Sequence, residues 1–131
     1  MPRTILACAG LLAALALPPL AANAVPPLVS AGGDTTCAVV NGAALCWGYN
    51  SDGQVGNGAK GVTPVPTPTQ VQGLTSGVQA IVTSGAHSCA IVNGGAFCWG
   101  NNDYGQLGNN GGTDSPVPVA VSGLGAGVSA I

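Results

Sequence analysis

The chain has 131 residues, enough for one domain, and is 47% hydrophobic but only 5% charged, with a formal charge of −2 and no Glu. Arg3 and Lys60 are its only cations, so it has no basic patch to neutralise phosphates, which excludes nucleic acid as a partner. So apolar a chain is no self-repelling disordered polymer either, and its 22 Gly and 10 Pro recur at repeated positions, as turns between short strands do.

Residues 1–24 read "MPRTILACAGLLAALALPPLAANA". Arg3 gives a short positive start, Ile5 to Leu17 an apolar run, and Ala22-Asn23-Ala24 a small-x-small cleavage site. This predicts a secretory signal peptide cut after Ala24. The competing reading, a membrane anchor, needs a longer run than the one Pro18-Pro19 ends. "ILAC" resembles a lipoprotein acylation box at Cys8, yet only seven residues precede it, too few for an apolar segment. The chain from about Val25 onward is therefore expected to be secreted, periplasmic or on the cell surface, with no membrane segment once the signal is removed.

Strands are expected at 28–32, 35–40 and 43–48. Asn41-Gly42 separates the last two, and both central positions of a two-residue hairpin turn need a positive φ. Counting outward pairs Val40 with Ala43, Val39 with Ala44, Ala38 with Leu45, and Cys37 with Cys46. Cys37 then faces Cys46 at a non-hydrogen-bonded site, where Cα atoms approach to about 4.5 Å, within disulfide range. Further strands are expected at 68–72, 78–83, 87–92, 95–100, 116–122 and 127–131, with no helix after residue 24. The turn Asn93-Gly94 repeats the arithmetic and places Cys89 opposite Cys98. Four cysteines in an exported chain point to two disulfides. The rival, a four-thiolate zinc site, usually has close Cys-x-x-Cys pairs, and this chain has none. One hairpin face carries Cys37, Val39, Ala44 and Cys46, the other Ala38, Val40, Ala43, Leu45 and Trp47. Neither is polar, which places the hairpin inside a layered stack.

The phrase "CWGYNSDGQVGNG" at Cys46 returns as "CWGNNDYGQLGNN" at Cys98, 52 residues on. Trp47, Gly48, Asn50, Gly53, Gln54 and Gly56 recur as Trp99, Gly100, Asn102, Gly105, Gln106 and Gly108. The linkers also match: each has a proline-spaced stretch, then Gly-Leu, then Gly-Val-x-Ala-Ile. A period near 50 with short strands points to a β-propeller. The order Trp-Gly-x-Asn-x-x-Gly-Gln-apolar-Gly, twice in register over about 28–131, resembles the regulator of chromosome condensation repeat family. Its cysteine-flanked form is similar to that of secreted bacterial members. The resemblance implies an all-β fold of four-stranded antiparallel blades in a seven-bladed propeller. Here there are two repeats, at about 28–80 and 81–131. Repeat units bury their faces only against neighbours, so two blades leave apolar faces open. The expectation is a partial propeller, either a piece of a longer reading frame or a short chain that closes its ring by self-assembly.

No catalytic, cofactor-binding or metal-ligating residue is expected. His87 is the only His, and the first repeat has Thr35 in its place. Ser88 beside it points to the opposite strand face, and pairing with Ser84 does not recur. Asp34, Asp52, Asp103 and Asp114 lie in or near turns, where carboxylates cap local backbone. No EF-hand loop is present, and no Lys-Ser/Thr follows the glycines to form a phosphate cradle. The repeated residues carry fold, so function is expected in what differs between the copies: segments 57–68 and 109–116, with Tyr49 and Tyr104. The resulting expectation is an exported, non-enzymatic module that binds or scaffolds an unknown protein. The alternatives are nucleotide-exchange-like or inhibitor activity, or a surface adhesion array.

Overall fold

A computed structural model describes residues 28–131; the predicted signal peptide with its cleavage residues Ala22 and Ala24, and Cys8, lie outside the described residues. Eight strands form two antiparallel meanders. The first sheet runs in the order β1 (Leu28–Gly32), β2 (Thr35–Val40), β3 (Ala43–Asn50) and β4 (Gly61–Gln70). The second holds β5 (Val78–Thr83), β6 (His87–Val92), β7 (Gly95–Gly100) and β8 (Ser115–Ala120) in the same order. These are two four-stranded β-propeller blades.

Turn chemistry sets the central hairpins. Asn41 and Gly42 sit at φ of 51° and 77°, and Asn93 and Gly94 at 49° and 80°, the left-handed values that a type I′ turn demands. The register follows, with Val40 opposite Ala43 and Cys37 opposite Cys46 in the first sheet, and Val92 opposite Gly95 and Cys89 opposite Cys98 in the second. Both cysteine pairs form disulfides, with Cα atoms 4.1 and 4.0 Å apart. Each closes a ten-residue loop, worth about 2–3 kcal/mol in the chain-entropy account.

Two strands depart from expectation. β4 begins at Gly61 rather than 68 and runs through Pro64, Pro66 and Pro68. Its registered positions are Gly61, Val65, Thr69 and Gln70, so the prolines fall between them, where a missing N–H costs the ladder nothing on an edge strand. The irregular register between Cys46 and Asn50 lets it follow β3. Residues 127–131, expected as a strand, form none. Val128 N–H does donate to Gly94 C=O at 2.9 Å, as Val78 N–H does to Gly42 C=O at 3.0 Å. But β5 continues along β6, and no described strand lies beside 129–131 to satisfy its backbone groups.

The sheets stack face to face. The cysteine face of the first, with Cys37, Val39, Ala44 and Cys46, packs on Val78, Ile81, Ala90 and Trp99 of the second. Val55, Val71 and Leu74 from the connecting loops seal the cluster. Both faces of the first hairpin are apolar, as read from the sequence, but only the cysteine face is covered by a sheet. On the other face Val40 is exposed, and Ala43, Leu45 and Trp47 are partly so.

Candidate binding surface

The repeated loops after β3 and β7 are held by their asparagines. Asn50 is buried; its Oδ1 accepts from Val55 N–H at 3.0 Å, and its Nδ2 donates to Ala59 C=O at 3.0 Å. Asn102 repeats the pattern, accepting from Leu107 N–H at 3.0 Å and donating to the carbonyls of Gly111 and Thr113. A buried side-chain amide used this way replaces the backbone ladder that a tight loop lacks.

Gln54 reaches out of its own repeat. Its Oε1 accepts from Asp52 N–H at 3.0 Å, and its Nε2 donates to Gly85 C=O in the β5–β6 turn at 3.0 Å. Its backbone carbonyl accepts from Trp99 Nε1–H at 2.9 Å and from the Ser88 hydroxyl at 3.0 Å. Gly56 makes room for this: its φ is +75°, and an added Cβ would lie 2.6 Å from Trp99 Nε1. From the sequence, Gln54 is expected to satisfy backbone groups in its own loop, as it does at Asp52; the contacts between repeats are visible only once the sheets are stacked. Gln106 keeps to its loop, accepting from Tyr104 N–H and donating to Asn101 Oδ1. Gln54→Ala is therefore expected to cost about 1–3 kcal/mol, and Gln106→Ala no more than about 0.5 kcal/mol. Urea unfolding of the oxidised chain checks this contrast.

Lys60 and Asp114 pair at 2.7 Å between the loops preceding β4 and β8. Hydrogen bonding to Asp114 raises the Lys60 pKa, and hydrogen bonds from Lys60 and Asn102 N–H hold the Asp114 carboxyl below its ordinary value. The pair is exposed enough for solvent to screen it, so it orients the loops more than it stabilises them. Asp114 thus links two loops, a role beyond the local capping expected of it.

Ser84 and His87 do meet. The β5–β6 turn folds Ser84 Oγ to 2.9 Å from His87 Nδ1, and Ser84 N–H donates to His87 C=O at 3.0 Å. Ser88 obeys strand alternation, its hydroxyl turned inward to Gln54, whereas Ser84 reaches His87 across the turn. Partial burial lowers the His87 pKa from its ordinary 6.5. The unfolded chain then binds the proton more tightly, so stability is full above about pH 6.5 and falls as the pH drops through the window below it. Melting temperatures between pH 7 and 5 should decline, with a shallower slope in His87→Asn.

Where the blades' ends converge, Gly33, Asp34, Tyr49, Asp52, Gln54, Gly85 and Ala86 line a shallow cavity of about 220 Å³. Small-molecule sites usually have about 300–1,000 Å³. Tyr104 stands on the second repeated loop, 93% exposed. Segment 57–68 supplies most of edge strand β4, and 109–116 the loop into β8. Among the described residues, no three His, Cys, Asp or Glu side chains lie close enough to hold a metal.

The sequence pattern described as the regulator of chromosome condensation (RCC1) repeat matches residues 41–91 and 93–131. Each match starts at or beside a hairpin turn, so one sequence unit spans parts of two blades. Human HERC4, a probable E3 ubiquitin-protein ligase, is 39% identical over 85 residues, covering 61% of this chain and 8% of that protein. Human HERC2, an E3 ubiquitin-protein ligase, is 39% identical over 71 residues, 53% of this chain and 1% of that one. Among solved structures, human WBSCR16 superposes with a TM-score of 0.61 at 29% identity, over 72% of this chain and 24% of that one. Prp20p from Saccharomyces cerevisiae, described with binding to Gsp1p and histones, gives a TM-score of 0.66 at 22% identity. It is covered over 27% of its length and covers 79% of this chain. The chain thus spans less than a tenth of the ligases it matches and about a quarter of these solved structures.

Proposed function

This chain belongs to the regulator of chromosome condensation repeat family, and we propose that it is an exported, non-enzymatic propeller module that binds another protein. The observation that carries this reading is how the polar side chains are used. Asn50, Asn102 and Gln54, repeated in sequence, are consumed by backbone hydrogen bonds. Of the residues that differ between repeats, Tyr49 and Asp52 line a blade-end cavity too small for most cofactors, and Tyr104 stands exposed on the second repeated loop. Aromatic side chains on a rigid frame are what protein contacts use. Prp20p supports the class of partner, since its described partners are proteins. The ligase activity of the HERC relatives stays with them.

Export is supported by the leader-like residues 1–24 and by the two cysteine pairs. The reading places mature residues 25–131 outside the cytoplasm, as two blades of a larger ring. Mass spectrometry of the protein from its own host tests export: a chain starting at Val25 with no free thiols is expected. An uncleaved cytoplasmic chain with reduced cysteines would contradict it. A photo-crosslinker at position 104 or 49 tests binding, with a discrete protein adduct expected. No adduct, together with substrate turnover by the pure protein, would overturn the reading.

A further inference from the structure

The structure contains one blade interface and the two halves of a second. The internal interface sets the Trp99 face of the second sheet on the cysteine face of the first. The first sheet carries the same Trp face, and no described sheet lies over it. Val29 is 67% exposed where its counterpart Ile81 is 5% exposed, and Trp47 is partly exposed where Trp99 is 0% exposed. The second sheet carries the same cysteine face; its Ile91, Ala96, Cys98 and Leu107 are already buried, and it is open at the rim, where Cys89 is partly exposed and Leu124 is 46% exposed against 5% for Leu74. The polar groups of the clasp are duplicated too. Gln106 matches Gln54, and Thr36 matches Ser88, which donates to Gln54 C=O.

We propose that the uncovered Trp47 face docks on the Cys89–Cys98 face of a second copy of this chain, reproducing the internal interface head to tail. Trp47 Nε1–H and the Thr36 hydroxyl would donate to the partner's Gln106 C=O, and Gln106 Nε2 would turn outward to the Gly33 carbonyl. The second copy is the occupant because the chain already shows this pair of surfaces fitting: the internal interface buries the same residue types at the same register positions. The paired strands of both faces hold no Lys, Arg or Asp, and Asp34 sits at the rim, beside the Gly33 acceptor. The two faces differ, so the contact is heterologous and builds a closed ring of whole chains or continues as a filament.

The test uses oxidised residues 25–131 in sedimentation velocity over a concentration series. Wild type is expected to reach a mass of several chains. Trp47→Asp removes one face and Leu124→Asp the other, and each variant alone should sediment as one chain. Mixed in equal amounts, they should form a species of two chains and stop, because each retains one working face. Intact disulfides and an apolar emission from Trp99 in both variants show that the fold survives. Wild type that stays a single chain throughout overturns the proposal and leaves the face to another polypeptide. So does Leu124→Asp that assembles like wild type, which means a symmetric contact through the Trp47 face alone. A mixture that remains single chains overturns it as well. Crosslinking at positions 49 and 104 reads partner binding separately, since neither substitution touches those residues.

Discussion

Trp99→Ala is expected to lower the unfolding free energy by about 3–5 kcal/mol, while Trp47→Ala costs less than about 1 kcal/mol. The two tryptophans occupy the same place in the repeat and face the same way from their sheets. Trp99 is fully buried against the cysteine face of the first sheet, and its indole N–H donates to Gln54 C=O at 2.9 Å. Truncation opens a large cavity in a cluster where Cys37, Cys46 and Ala90 are held by a disulfide or a strand. It also takes one of the two donors from a buried carbonyl. Trp47 is partly exposed, with no described sheet over it. Domains hold only about 5–15 kcal/mol in total, so Trp99→Ala should leave a marginal or unfolded protein. Urea titrations of the two variants decide; equal losses would mean that the sheets do not pack as described.

The second large effect concerns the staples. Substituting alanine for both Cys37 and Cys46 is expected to cost more than doing so at Cys89 and Cys98. The loops are equal in length, so the chain-entropy share, about 2–3 kcal/mol, is equal. The surroundings are not. Cys37 and Cys46 are fully buried in the cluster beneath Trp99, with Cys37 Sγ 3.7 Å from Ser88 Oγ. Cys89 is only partly buried. Removing both sulfurs of the inner pair therefore adds a packing loss of about 1–3 kcal/mol. Calorimetry of the two double variants should rank the first lower in melting temperature. A reversed order would put the second cysteine face at the core of the molecule.

Much of this fold could be read from the chain because its determinants are local. Asn41-Gly42 and Asn93-Gly94 specify their turns, the turns specify the register, and the register brings the cysteines together. The repeated loop residues were legible for the same reason: Asn50 and Asn102 act within about ten residues of themselves. What was not legible depends on stacking. Gln54 gives no local sign that its amide will meet Gly85 in the next repeat. The opposite fates of Trp47 and Trp99 follow from which sheet has a neighbour, and no property of either hairpin records it. The prolines suit an outer strand, as β4 is, but they hid its length: nothing in the sequence alone shows that the ladder starts at Gly61 and puts Pro64, Pro66 and Pro68 between its paired positions. Ser84 and His87 were hidden by a turn that strand alternation does not describe.

One tryptophan face is sealed by the neighbouring blade while its twin is not. Acrylamide quenching of the two single-tryptophan variants tests it most directly, at concentrations where the chain sediments as a monomer. Trp47→Phe, which keeps Trp99, should emit at short wavelength and resist quenching. Trp99→Phe, which keeps Trp47, should emit further to the red and be quenched readily. Equal quenching of both, or the reverse order, would contradict the stacking of the blades.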